Sequence, residues 1–208
     1  MKKGLYEGII IDSNFTLEEV LVRRQELPAP REVLGRQRIL EVTYYSFDSK
    51  LHKGQIVVDV DLAADVKGAF DLIRKTKFPI HSVIPFIDRR LMSEDERAAS
   101  LNNSSGFNYR TIAKTNRLSN HAFGRAIDVN PAINPLIRGD YRQPEGAEYD
   151  PKVPGTIVAE GELVAILKKK DGYGEEIGQT EKIICILKSL DNILKSVSQI
   201  NIRNTEHK

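Results

Sequence analysis

Apolar and polar positions along this chain change period several times, and each change marks an element. Residues 39–47, ILEVTYYSF, and 55–60, QIVVDV, are rich in β-branched and aromatic side chains, which suit a pleated, half-buried surface. Between them DSKLHKG carries turn residues and ends in Gly54, predicting a hairpin with a longer loop. His52 falls in that loop and is expected to be solvated. Leu62, Val66, Phe70 and Ile73 then recur at helical spacing after Asp61, predicting a helix capped by Asp61 that ends before Pro79. FPIHSVIPF at 78–86 predicts another strand, with His81 packed or at its edge. Residues 1–38 are charged and punctuated by Pro28 and Pro30, and read as a lead-in with one short helix near 17–25 and no chemistry. The charge run at 88–100 reads as a solvated loop or short helix, the Pro- and Gly-rich stretch 132–155 as loop, and 160–170 as a helix. The fold class expected is α+β: a small antiparallel sheet with helices packed on one side.

Composition narrows the function classes. At 208 residues the chain fits one domain large enough for a real core. With 31 basic and 29 acidic residues the net charge is +2, so nothing argues for a nucleic-acid partner. A hydrophobic content of 40% is that of a soluble globular protein. A single cysteine, Cys185, rules out an internal disulfide and a cysteine-rich zinc knuckle. No stretch approaches the ~20 apolar residues of a transmembrane helix. Near the N-terminus the apolar run is only Ile9 to Ile11, too short for the core of a signal peptide. No feature sets an oligomeric state.

The chemistry concentrates in residues 109–135, YRTIAKTNRLSNHAFGRAIDVNPAINP. His121, Gly124, Ala126 and Asp128 form the pattern S-x-H-x-x-G-x-A-x-D that begins at Ser119. Gly124 permits a tight reversal, because only glycine takes positive φ without steric cost. After it the chain alternates, so Ala126, Asp128 and Asn130 face one way while Ile127 and Val129 face the core. His121 on the incoming limb can then meet Asp128, either as a hydrogen-bonded pair or at one metal ion. Imidazole with carboxylate suits zinc, with ligand distances near ~2 Å.

This string resembles the zinc peptidases of bacterial cell-wall metabolism, the D-Ala-D-Ala carboxypeptidases and L-alanyl-D-glutamate endopeptidases, whose fold is related to the hedgehog signalling domain. The resemblance covers roughly residues 39–167. It implies that His121 and Asp128 are two of three zinc ligands, that the substrate is a peptidoglycan stem peptide, and that the protein works in the periplasm or cell envelope. The preceding NNSSGFNYR also resembles the family, and implies that Arg110 binds a substrate carboxylate; its planar fork matches one in a bidentate way. Ser119 and Asn130 are candidates to orient the ligands by hydrogen bonds. Residues 39–170 are then the peptidase-like core domain, between the lead-in 1–38 and an atypical tail, 171–208.

That tail departs from the family. A catalytic zinc needs three protein ligands and a base for its water, and the family draws both from a later segment resembling GWxWGGDW…DYxHF. Here the sequence after Lys170 is DGYGEEIGQTEKIICILKSL, and only His207 lies downstream. No catalytic base is therefore identifiable. Read one frame over, with allowed synonymous codons, the tail spells WVWGGDWTDRKDYMHFKK after a glycine. Two of three bases in each shifted codon are fixed by the present residues, so chance agreement is hard to reach. The slip falls in the A-rich lysine codons at 168–170. A second reading stays open: Ile183, Ile184, Leu187, Leu190, Ile193 and Leu194 suit an amphipathic helix with Cys185 as a core thiol. A module that binds peptidoglycan without cutting it is the functional alternative.

Overall fold

Strand β3 (Leu51–Asp59) is the centre of the molecule, buried at every position after Leu51. The computed structural model describes residues 8–22, 28–86, 100–138, 140–158 and 161. β2 (Gln37–Tyr45) runs antiparallel to β3 with Val42 opposite Gly54, and β1 (Ile9–Ile11) runs parallel to it with Ile9 opposite Leu51. The sheet order is β1-β3-β2. The sheet is thus mixed rather than antiparallel, because the segment expected as a lead-in supplies an edge strand.

Alternation along β3 explains what covers it. Ile56 and Val58, with Val42 and Tyr44 of β2, face α3 (Ala63–Lys75) and bury against Val66, Ala69, Phe70 and Ile73. Val57 points the other way and is covered by Val20 of α1 (Leu17–Val22) and by Phe107, with Val33 and Leu34 of α2 (Arg31–Gly35) packed nearby. Helices therefore cover both faces, not one. The cause is local: the Ile56–Val57–Val58 run places an apolar side chain on each face, and each must leave water. α3 carries an internal glycine and is short enough to be marginal alone; the packing of its buried face, about 1.5–3 kcal/mol per large side chain, holds it.

Details of the ends differ from expectation. A 3-10 turn, Val60–Leu62, precedes α3, and its cap is Asp59, whose side chain accepts from Asp61 N at 2.9 Å. Asp61 is not the cap. The hairpin turn is tighter than predicted, so His52 is not a solvated loop residue: it lies in β3, buried, between Asp12 and Asp48. The strand expected at 78–86 shrinks to β4 (Ser82–Val83), paired in parallel with β5 (Asn103–Ser104). His81 is exposed. Gly54 lets β4 cross β3 closely; a Cβ there would lie 3.0 Å from the Val83 carbonyl carbon. The stretch 132–155 contains a small hairpin, β6 (Leu136–Arg138) with β7 (Tyr141–Gln143), where only loop was expected. Among the described residues no helix is long and apolar enough to cross a membrane. The charge run at 88–99, the helix expected at 160–170 and the whole tail lie outside the described residues.

Candidate metal centre

Ser119 caps the 3-10 turn Asn120–Phe123, its hydroxyl accepting from His121 N at 3.3 Å. Gly124 closes that turn at φ 68° and ψ 22°, the left-handed conformation the motif glycine was expected to supply. Its carbonyl accepts from Asp59 N at 2.9 Å, and Gln37 Nε2 donates to Phe123 O at 3.3 Å. A Cβ on Gly124 would lie 2.6 Å from Asp59 N and against the Gln37 amide oxygen. The turn carrying His121 is thereby fastened to the paired ends of β2 and β3.

The chain then runs back as extended backbone, not as a sheet strand. It makes a single bridge, with Asp128 N donating to Ser105 O at 2.8 Å and Ser105 N to Asp128 O at 3.1 Å. The motif thus sits on a turn and a bridged loop beside the sheet. Ile127 is buried in the core and Val129 packs against it, which turns the Asp128 side chain outward, 40% exposed.

His121 is nearly buried. A carbonyl can only accept, so the 2.7 Å contact to Gly106 O places the ring proton on Nδ1 and leaves Nε2 facing Asp128 Oδ2 at 3.4 Å. Asn108 N donates to His121 O at 2.9 Å, pinning the same residue by its backbone. Burial works against the imidazolium, but the Asp128 carboxylate outweighs it and raises His121 above the ordinary histidine range. Burial likewise opposes the Asp128 charge, and His121, with Arg110 behind it, holds that carboxyl below its ordinary range.

Arg110 is half-buried beside this pair, near enough for its charge to act on both. A tight turn bridged at Thr111 and Leu118 brings it there, and Ser119 N donates to Arg110 O at 3.0 Å. Its guanidinium donates from Nη1 to Thr111 O at 3.4 Å. Asn130 sits elsewhere than expected: its carboxamide donates to Pro79 O and Gly155 O and accepts from His81 N, none of which is a ligand candidate. It braces the loops around the site.

The donor set fits two corners of a zinc site. Two ligands at about 2.0–2.1 Å from a tetrahedral ion stand about 3.3 Å apart, close to the His121–Asp128 separation. Among the described residues no group of three His, Cys, Asp or Glu side chains is placed to share a metal. Sequence reasoning missed the partners that come from backbone, Gly106 O above all, because a carbonyl leaves no signature in side-chain pattern. The only hint is the Ser104–Ser105–Gly106 run, small enough for close approach; a Cβ on Gly106 would lie 3.2 Å from Ile56 Cγ1.

Comparison with curated proteins and comparison with solved structures gave no match. Residues 113–174 match a family model described as D-alanyl-D-alanine carboxypeptidase. The matched interval contains Ser119, His121, Gly124 and Asp128 but not Arg110, and spans less than a third of the chain. The motif segment of this protein is therefore similar to that of the D-alanyl-D-alanine carboxypeptidases.

Proposed function

We propose that the chain carries most of the site of a zinc-dependent peptidase acting on peptidoglycan stem peptides in the cell envelope. The observation that carries this reading is the His121 Nε2–Asp128 Oδ2 separation of 3.4 Å, with Nδ1 already committed to Gly106 O. With Nδ1–H committed to Gly106 O, Nε2 is the nitrogen that faces the carboxylate, and a metal ion binding there would take the place of its proton. Bound zinc supplies Lewis acidity toward a scissile carbonyl and lowers the pKa of a water. His121 and Asp128 would hold the ion. Arg110 pairs with a substrate carboxylate and positions the peptide beside them. Ser119 holds His121 through its backbone, and Asn130 supports the surrounding loops. In the repaired reading frame the third ligand and the base come from the DYMHF segment.

A non-catalytic peptidoglycan-binding module is the second reading. It is favoured by the absence, among the described residues, of a third His, Cys, Asp or Glu placed to share a metal with the pair. Restoring one base in the lysine codons at 168–170 separates the two. Purified muropeptides with added zinc should be cleaved by the repaired chain and scarcely by the present one. Equal cleavage by both would overturn the frame account; binding without cleavage by both would establish the module.

A further inference from the structure

At the end of β3 remote from Gly124, four titratable side chains meet. The His121 ring is held by Gly106, whose segment meets β3 at Val57, where Phe107 N donates to Val57 O. His52 lies five residues away along the strand, roughly 16 Å at strand rise, so this cluster is separate from the candidate metal centre. The His52 ring is buried with a carboxylate at each nitrogen. Nδ1 lies 2.9 and 3.1 Å from the two Asp12 oxygens, and Nε2 lies 3.2 and 3.3 Å from those of Asp48. Tyr44 stacks on the ring at 5.9 Å between centroids. Its hydroxyl donates to Asp12 and accepts from Val83 N at 2.9 Å.

The titratable groups facing the ring are Asp12 following β1, Tyr44 on β2 and Asp48 in the hairpin turn, with the Lys50 charge acting on Asp48. Burial, with Asp12 beside it, pushes the Tyr44 phenol above its ordinary range, so it stays a donor. The Lys50 backbone N–H, with His52 adding to it, keeps the Asp48 carboxyl below its ordinary range. Both partners of the ring are thus acceptors. A neutral imidazole has one N–H and one lone pair, so in either tautomer one carboxylate would face a lone pair. Only the imidazolium donates to both. The two carboxylates lie on opposite sides of the ring, which also excludes a single metal ion shared by all three residues.

We propose that Asp12, His52 and Asp48 form a proton-operated clasp that fastens the N-terminal strand to the β2–β3 hairpin. Strand β1 needs it. Its pairing with β3 is three residues long, and Ile10 and Ile11 are 39% and 45% exposed, so little apolar burial holds it. Beyond Asp12 the same segment runs through Ser13, whose hydroxyl donates to Val83 O at 3.4 Å, to α1, where Val20 covers Val57 and Phe107. Loss of the ring proton turns one ion pair into a lone pair against a carboxylate and frees the edge strand first.

Hydrogen exchange of the full-length protein tests this, followed by mass spectrometry in the peptide covering residues 9–12 at pH 5.5 and pH 8.5. After correction for intrinsic rates, protection should be about tenfold lower at the higher pH, the size of one charge-assisted hydrogen bond. Asp48→Asn should remove the dependence, because a neutral ring donating from Nδ1 then satisfies the one remaining carboxylate. Asp48 is half-exposed in the turn, so that variant tests the clasp even if His52→Gln fails to fold. The imidazole nitrogen spectrum of the unaltered protein at pH 5.5 should show both ring nitrogens of His52 protonated. Equal protection at the two pH values, or an Asp48→Asn protein with the dependence intact, would overturn the clasp. Neither outcome touches the zinc reading, since no metal is present in the measurement.

Discussion

The backbone N–H of Asp59 donates to the carbonyl of Gly124 at 2.9 Å, joining the last residue of the central strand to the glycine that closes the His121 turn. The same residue's carboxylate, almost fully buried, takes a two-point bond from Arg36, Nε to Oδ2 and Nη2 to Oδ1, both at 2.8 Å. A single aspartate thus anchors the His121 turn by its backbone and the start of β2 by its side chain.

A pH dependence follows. Burial raises Asp59, but the Arg36 bond and the Asp61 N–H outweigh it and hold its carboxyl below the ordinary range. A group depressed in the folded state contributes stability above its unfolded value and loses it as pH falls through the folded one. Asp59→Asn should therefore lower the melting temperature at pH 7, and the gap from the unaltered protein should close below the usual carboxylate range. Thermal melts between pH 7 and pH 3 measure it; a gap constant with pH would mean the ion pair contributes nothing.

Gly124→Ala should cost about 1–2 kcal/mol from the left-handed backbone alone. The added methyl also has no room beside Asp59 N, so the turn must move and His121 with it. Denaturant unfolding should show the loss, and any zinc affinity should fall in the same variant. An alanine variant as stable as the parent would show that the turn is not held as described.

The polypeptide as written should bind zinc weakly, because two ligands fall short of the three that catalytic sites use. Titration calorimetry should show Asp128→Ala removing what affinity exists and His81→Ala leaving it unchanged, since His81 is exposed and its backbone N–H, not its ring, meets Asn130. Tight one-to-one binding by the present chain would instead require a further ligand. In the repaired chain, Arg110→Ala should weaken substrate recognition by about 2–5 kcal/mol, the cost of stranding a buried carboxylate.

Asn130→Ala should destabilise the fold by about 1–3 kcal/mol, the cost of an unpaired buried polar group. The side chain is fully buried, and Pro79 O and His81 N would lose their partner while Gly155 O would keep Asn134. Asn130→Asp should be no better, because a carboxylate cannot donate to Pro79 O. Unfolding midpoints of the two variants decide the point.

Elements with one dominant period were legible in the sequence. The apolar face of α3, the β2–β3 hairpin and the opposition of Asp128 to Ile127 and Val129 all follow from 3.6- or 2-residue spacing. What escaped depends on residues far apart in sequence. His52 reads as a loop residue because its partner Asp12 is 40 positions away. The second covered face of β3 needs Val20 and Phe107, which no local pattern links to Val57. Asn130 looks like a neighbour of Asp128 by alternation, yet its φ of 45° turns it toward Pro79 and Gly155 instead.

That last feature sets an order of events on the ribosome. The Asn130 carboxamide ties a segment made well before it, at Pro79 and His81, to one made well after it, at Gly155. Gly155 itself fits only because a Cβ there would lie 2.9 Å from both Asn130 Nδ2 and Pro79 O. A nascent chain that has released His121 and Asp128 therefore still lacks the brace for their loop. At synthesis rates of roughly 5–20 residues per second, the pair waits seconds before Gly155 emerges and the loop can close.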